Sequence, residues 1–513
     1  MNGYGYGVSI FYGDSFLYFP ALLRLIGVGV QDAYKCYILF INVLTCLISF
    51  YSFQKFTGDD RLGLAGSFLF TASVYRLNCI YVRAAVGEYT AMAFMPLYVY
   101  GIYAMLFWKG EKRKGAWLCT ALGFSGIVRT HIISSEIAAL FGIVAGLVYF
   151  RWLFDKELWI DISKCALLIL GCSASFLAPF LDLSRDAYVF NREIGKGIQT
   201  SGATWCQIWN PFPSGRGEAF SVSMTERAGV DSQFSYAIGL GFTVAILLYL
   251  YFFVVLERNR NSVERKESRH FFYWCMVLLI MTTVWFPWNF LQEALGNVGY
   301  LIARIQFPWR ILGITSTVLA FFCCNLLAAL RICEKANSRI LYGIVMVSAV
   351  LSSGYFLSDR MNDNHTFYIQ NADDLDNFRI MGGEYMPEGA AVKRSASREV
   401  VPGGEIAIKS VERRYHRFHI LLNVPGSETA YLELPLLFYR GYAAKCEDGT
   451  WCKVEAGESG KVRLYVPGGY SGAVDVFYQE AWYWRAAELI SAGSILWLML
   501  KGAYALRKRK RYS

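Results

Sequence analysis

The residues best placed to do chemistry in this 513-residue sequence are the few charges that interrupt its long apolar stretches. YRLNCIYVRAAVGEYTAMAFMPL (75–97) carries Arg76, Arg83 and Glu88 around the ends of two apolar runs. A charge at membrane depth costs about 2.5–3.5 kcal/mol even on insertion scales, so such residues invite a functional reading. A guanidinium matches phosphate geometry, which makes Arg83 a candidate anion-binding residue. Glu88 can pair with Arg83 or serve as a base; the plainer reading is an ion pair that only orients two helices. RTHIISSE (129–136) places Arg129, His131 and Glu136 at the turn of an apolar hairpin. Histidine exchanges protons near neutrality, although a histidine at such a turn also serves as a hydrogen-bonded turn residue. RIQFPWR (304–310) sets Arg304 and Arg310 around an aromatic pair and a proline. They suit an anionic headgroup or a lipid-linked phosphate, or a simple aromatic-belt anchor. Asp14, in FYGDSFLYFP, is either a helix N-cap or a carboxylate at the membrane face.

The elements that must position these residues are membrane spans. Hydrophobic residues make up 55% and charged residues 18%, against about 25% charged in an ordinary soluble domain. Apolar blocks at 33–53, 62–81, 89–108, 115–131, 134–151, 162–181, 234–256, 271–288, 308–330, 340–358 and 485–505 approach the roughly 20 residues that cross a hydrocarbon core. The expected fold is therefore mainly α, a polytopic transmembrane helical bundle of about eleven spans. Residues 15–30, broken by Pro20 and Arg24, are expected to form a re-entrant or interfacial helix. Short basic loops alternate along the chain: QKFTGDDR (54–61), KGEKRK (109–114), RWLFDKELWIDISK (151–164), ERNRNSVERKESR (257–269), KANSR (335–339) and the tail RKRKR (507–511). Positive loops stay inside, so these and the C-terminus are expected to be cytoplasmic. The loop 182–233 and the stretch 359–484 then face outward. The net charge of +10 is accounted for by orientation, and no nucleic-acid partner is expected. The same alternation puts residue 1 outside, from which a missing first span is expected.

Three regions follow: 1–358 as the membrane domain, 359–484 as an extracytoplasmic β-sandwich-like domain, and 485–513 as a last span with a basic tail. HRFHILLNV (416–424), TAYLELPLLFY (429–439), KVRLYVP (461–467) and GAVDVFY (472–478) alternate with period two between VPGG, EDGT and VPGGYSG turns, which predicts antiparallel strands. His416 and His419, three apart, would face opposite sides of a strand and not share a metal. GGEYMP (382–387) reads as a turn with Glu384 exposed. Cys446 and Cys452 flank a hairpin turn; a three-residue loop would pair them as a disulfide and a two-residue loop would offset them. The other cysteines sit mostly in spans as small apolar residues. The sequence carries no CxxC, P-loop, GxSxG, HExxH or placed GxGxxG, so no metal and no cofactor is expected.

GYGYGVSIFYGDSFLYFPALLRLIG, YRLNCIYVRAAVGEYTAMAFMPL, RTHIISS, IQFPWRILG, GGEYMP and LPLLFYRGYAAKCEDG together resemble the bacterial multispan proteins called 6-pyruvoyl-tetrahydropterin synthase-related, close to the YfhO-like membrane proteins. Pterin chemistry is not implied: that enzyme is small and soluble with a three-histidine zinc site, and the five histidines here are scattered. The YfhO-like group is similar in layout to GT-C glycosyltransferases. The resemblance implies an outer-face transferase that takes a polyprenyl-phosphate-linked sugar to a cell-surface glycan. Such enzymes usually keep their catalytic acid in the first outer loop, of which only the end, with Asp14, would remain here. Arg83, Glu88, His131 and Arg310 match recurring family positions. Glu88, His131 and Asp14 are thus the expected catalytic candidates, and Arg76, Arg83, Arg129, Arg304 and Arg310 the expected substrate-binding ones. A non-catalytic transporter, flippase or scaffold for lipid-linked envelope precursors is the alternative.

Overall fold

A computed structural model describes residues 4–150, 154–186, 197–216, 235–257, 263–334, 337–363, 385–390 and 398–512. Glu384, part of the outer loop 182–233 and part of the stretch 359–484 lie outside the described residues. The chain divides into two compact units. One holds Gly13–Leu170 and Ile194–Tyr368; the other holds Met1–Tyr12, Gly171–Glu193 and Ile369–Ser513.

Apolar helices dominate because the sequence offers long runs of residues with little to gain from water. Among the described residues, six helices are long and apolar enough to cross a membrane: Val30–Thr57, Val86–Phe107, Lys156–Leu183, Pro308–Ile332, Ser338–Met361 and Trp482–Tyr504. Ile132–Val148 and Leu240–Val255 are apolar but shorter. The remaining predicted spans are shorter or interrupted. The run 62–81 breaks at Ala72–Ser73 into Asp60–Thr71 and Val74–Tyr81. Within the span Val86–Phe107 the helix tightens at Ala93–Phe94, whose amides bond carbonyls three residues back, just ahead of Pro96. Residues 15–30 form a short 3₁₀ turn and the helix Tyr18–Leu25, too short to span alone.

The basic loops of this unit meet one another. Arg113, nearly buried, bonds Asp155 at 2.8 Å and Asp161 at 3.2 Å, joining the segments 109–114 and 151–164. Arg331 pairs with Asp59 at 2.6 Å, joining the segment 54–61 to the end of Pro308–Ile332. The helices themselves pack through small residues. A Cβ on Gly101 would stand 2.4 Å from Thr120 Oγ1, and one on Gly123 would stand 2.6 Å from the backbone nitrogen of Tyr98. Helices Met95–Phe107 and Ala116–Val128 therefore approach to backbone contact, which only glycine permits here.

The other unit contains two antiparallel sheets. Their strands are β1 (Val401–Gly403), β2 (Ala407–Arg414), β3 (Arg417–Asn423), β4 (Ala430–Leu437), β5 (Tyr442–Cys446), β6 (Trp451–Cys452), β7 (Val454–Ala456), β8 (Lys461–Val466) and β9 (Ser471–Tyr478). One sheet has the order β1-β4-β8-β7 and the other β2-β3-β9-β5-β6. The alternation in β3 and β8 points Phe418, Ile420, Leu422, Val462, Leu464 and Val466 into one core shared by both sheets. The four strands predicted from period-two patterning all form. His416 lies in the β2–β3 turn and not on a strand, next to Tyr415 at φ 57. His419 bonds Asp475 across the β3–β9 pair at 2.7 Å. Ala444 faces Cys452 across the hairpin, so Cys446 and Cys452 sit two positions apart on one face, with Sγ atoms 2.9 Å apart.

Two outcomes follow. Gly123→Leu forces Met95–Phe107 away from Ala116–Val128, at a cost on the order of 1–3 kcal/mol; the monodisperse fraction of detergent-extracted protein drops below that of wild type. The Asp475 carboxylate holds the His419 pKa above the ordinary 6.5. The bond therefore contributes fully below about 6.5 and is lost as pH rises through the raised folded value. Carbethoxylation of His419, followed by mass spectrometry across pH, reports a midpoint that falls in Asp475→Asn; an unmoved midpoint contradicts the assignment.

Candidate functional site

Two short helices near residue 80 are joined by one tight turn. Tyr81 ends the helix Val74–Tyr81, and Val86 begins the next. Between them the Arg83 amide donates to the Asn78 carbonyl and the Ala85 amide to the Cys79 carbonyl, each at 2.9 Å. Ala84 adopts φ 47, a left-handed conformation that costs an alanine about 1–2 kcal/mol. The turn folds the Arg83 side chain back over Glu88, with Nη2 3.0 Å from Oε2. Glu88 is in the first turn of Val86–Met92, where unpaired amides favour a carboxylate. Its other oxygen accepts from the Tyr75 hydroxyl and lies 3.7 Å from Cys79 Sγ. Arg83 Nη1 lies 3.3 Å from the same sulfur. Glu88 is 3% exposed, so both oxygens are spent on the protein itself.

A second strained turn meets the first. Gln306 adopts φ 63 just before Pro308–Ile311 opens the helix Leu312–Cys333. Arg310 Nη1 donates to Gln306 Oε1 at 2.8 Å and to the Ile305 carbonyl at 3.3 Å. Trp309 stacks on Phe307 at 5.0 Å and on Tyr236 at 4.9 Å, and the Arg83 guanidinium lies 4.3 Å from the centre of its ring. Such a cation over an indole face is attracted by the ring quadrupole. Arg310 and His131 lie within electrostatic range of the Arg83–Glu88 pair, so three separate sequence segments converge.

His131 caps the helix Ile132–Val148: its Nδ1 accepts from the Ser134 amide at 3.2 Å and contacts Ser134 Oγ at 2.8 Å. A ring nitrogen that accepts is bare, so the neutral ring carries its proton on Nε2. The Arg129 backbone abuts the N-terminal segment, where a Cβ on Gly13 would lie 2.3 Å from the Arg129 carbonyl oxygen. Arg129 Nε also donates to Ser15 Oγ at 2.9 Å. This brings Asp14 beside the His131 segment. Asp14 occupies the N-cap position of Ser15–Leu17 without making the cap bond. Its half-buried carboxylate takes part in no hydrogen bond or ion pair among the described residues. One turn beyond His131, Glu136 is acted on by Arg304, and its Oε2 has no hydrogen-bond partner among the described residues.

Arg76 lies apart from this cluster in its bonding. It is fully buried and donates to Asn42 Oδ1 at 2.8 Å, Thr45 Oγ1 at 2.9 Å and the Thr71 carbonyl at 3.1 Å. No carboxylate partners it among the described residues; it bridges Val30–Thr57 to the helix break at Ala72–Ser73. Among the residues sequence reasoning passed over are Tyr75, Asn78, Trp309 and Tyr236. Trp309 Nε1, the Tyr236 hydroxyl and both amide atoms of Asn78 are buried without a hydrogen-bond partner among the described residues. Tyr75, Asn78 and Trp309 lay inside segments already singled out, where they passed for ordinary span and belt residues. Tyr236 had no local signal.

No family model matches the chain. It is similar, at 21% identity over 577 residues, to an uncharacterised protein of Lactococcus lactis subsp. cremoris (strain MG1363). The match covers 99% of this chain and 87% of the relative, so it runs through both units.

Removing one partner of a buried ion pair strands the other charge, at about 3–5 kcal/mol. Glu88→Gln is therefore expected to melt well below wild type when the detergent-solubilised full chain is unfolded by heat. The double variant Arg83→Met/Glu88→Leu recovers most of that loss, because no charge is left unpaired. Equal melting of Glu88→Gln and wild type contradicts a pair that holds the turn.

Proposed function

We propose that the chain is a membrane-embedded glycosyltransferase of GT-C type, using a polyprenyl-phosphate-linked sugar at the outer face to modify a cell-surface glycan. One observation carries this reading: unspent hydrogen-bond donors stand beside a cationic stack. Trp309 Nε1 can only donate, and the Tyr236 hydroxyl and Asn78 amide have donors to give. All three belong to the surroundings of Arg83 and Arg310. Buried polar groups are normally satisfied, so a set of orphaned donors next to guanidinium groups marks a place that an oxyanion would complete. The phosphate of a lipid-linked sugar has that chemistry. The two left-handed residues, Ala84 and Gln306, hold the cations there, and strain of this kind collects at functional sites.

The roles divide by what each side chain has left to offer. Glu88 has both oxygens engaged and positions Arg83. Asp14, whose carboxylate makes no hydrogen bond or ion pair among the described residues and which lies beside the His131 segment, is assigned as the base. In the reaction the acceptor hydroxyl oxygen bonds to the anomeric carbon of the sugar, and the bond from that carbon to the phosphate oxygen breaks. The hydroxyl proton passes to Asp14, and the polyprenyl phosphate leaves with its charge met by Arg83 and Arg310. His131, neutral with its proton on Nε2, orients one of these oxygens. In this reading the chain crosses about eleven times with its basic loops inside, and the cluster lies at the outer ends of the helices.

A non-catalytic transporter, flippase or scaffold draws support from a specific observation, the closure of Glu88 by Arg83 and Tyr75. One experiment separates the readings. The gene is deleted, surface glycans are compared by composition, and the deletion is complemented with wild type, Asp14→Asn or Arg310→Gln. The expected result is loss of one sugar on deletion, restored by wild type and reduced at least about 100-fold with Asp14→Asn, the range of a lost general base. Unchanged glycans on deletion overturn the transferase reading. Full rescue by Asp14→Asn moves the chain to the scaffold reading.

A further inference from the structure

The unit that carries the sheets holds a cleft of about 890 Å³ at the tip of the β2–β3 hairpin. Its walls are aromatic: Tyr6, Tyr415, Tyr442, Phe477 and Tyr478 all line it, while aliphatic lining is confined to Ile10 and Leu436. Tyr415 is 91% exposed and is held outward by φ 57 at the hairpin turn. A strained, solvent-exposed tyrosine is a poor choice for stability and a good one for contact. The lip of the cleft is polar and planar, with Arg413, His416, Arg417, Gln479, Glu480 and Arg485.

Commitments among these groups leave one cation over. Arg485 is engaged by Glu480 at 2.7 Å and by Glu488 at 2.8 Å. Arg413 donates to the Tyr415 carbonyl at 2.9 Å and lies over the Phe418 ring. The exposed Arg417 side chain forms no ion pair or hydrogen bond among the described residues. It lines this cleft and also a neighbouring one of about 590 Å³ along β2, β3 and β9. The lip adjoins the start of a candidate membrane span. Arg485 lies in the first turn of Trp482–Tyr504, a helix long and apolar enough to span, beside the exposed Trp482 and Tyr483. Aromatic and basic residues at the end of a span mark the headgroup level.

We propose that this cleft binds an anionic oligosaccharide chain presented at the membrane surface. A fatty chain would need aliphatic walls, which are scarce here. A sugar ring has an apolar C–H face that packs on a phenol ring and a rim of hydroxyls that planar Arg and Gln groups can bond in pairs. Tyrosine supplies this contact at low entropic cost. Arg417 selects for the charge, since a guanidinium matches carboxylate and phosphate equally well. The inference deepens the transferase reading by naming where an acceptor chain rests, and binding is measured without transfer, so either can fail alone.

The full chain in detergent is titrated calorimetrically with three hexasaccharides: neutral cellohexaose, a hexagalacturonate bearing carboxylates, and a phosphorylated hexasaccharide. Tighter binding of an anionic probe than of cellohexaose, by about tenfold or more, is expected from one charge-assisted contact. The arm that wins identifies the acidic group, and equal gains for both assign a general anion preference. Arg417→Gln removes that advantage, and Tyr415→Ala weakens all binding several-fold; both side chains are exposed, and unchanged melting confirms that the fold is kept. No binding by any probe overturns the proposal, as do equal affinities for neutral and anionic chains or an Arg417→Gln variant that behaves as wild type.

Discussion

A charge placed among apolar helices must be paid for by its surroundings, and the Arg83–Glu88 pair is where this unit meets that demand. Each oxygen of the carboxylate has its own partner, Arg83 on one side and Tyr75 on the other. The guanidinium in turn lies over Trp309, whose ring also stacks with Phe307 and Tyr236. Removing any layer exposes the next to a desolvation cost it cannot offset. The pair thereby fixes the turn 82–85, the opening of Val86–Met92 and the approach of the segment 304–310. Arg76 shows the other solution to the same constraint: a guanidinium held by three neutral acceptors, with its charge spread over two helices.

That constraint explains why the helices here are broken. A regular helix running on past Tyr81 would carry Arg83 and Glu88 at positions set by its pitch. The break at Ala72–Ser73 and the turn after Tyr81 instead let Tyr75, Cys79, Arg83 and Glu88 converge on one point. Broken helices in a membrane are tolerated where neighbouring protein satisfies the freed backbone groups. Here the Asn78 and Cys79 carbonyls do so for the turn. Glycine contacts at Gly101 and Gly123 let the helices behind the site close up against each other, so the breaks do not loosen the packing.

The sequence showed what depends on composition and period. Apolar runs predicted where helices lie, because burial is read residue by residue, and period-two runs predicted β3, β4, β8 and β9 nearly to their ends. What it could not show is how a run is divided. The interruption at Ala72–Ser73 has no proline and looks like continuous span, and Ala84 and Gln306 carry no signature of positive φ, which glycine would have given. Candidate charges were visible because they are rare in apolar surroundings. Their partners were not: Tyr75 and Trp309 are aromatic residues among many, and Tyr236 is far from the site in sequence. His416 was assigned to a strand because the run 416–424 alternates, whereas a two-residue turn at Tyr415–His416 takes the first position out of the ladder.

Commitment of side chains, more than their type, separates architecture from chemistry in both units. Glu88 is the acid that sequence reasoning ranked first, yet every lone-pair direction facing Arg83 and Tyr75 is used. Asp14, for which an N-cap is one of two sequence readings, does not cap. Arg485 and Arg413 look like ligand-binding cations from their place on the cleft, but their charge or donors are already held by Glu480, Glu488 and a backbone carbonyl. Among the described residues Arg417 has no such holder. Since folding leaves few buried donors unsatisfied, those left over at Trp309, Tyr236 and Asn78 carry information that a count of charged residues does not. A satisfied arginine holds a turn in place, and a site that binds an anion needs donors the fold has not already used.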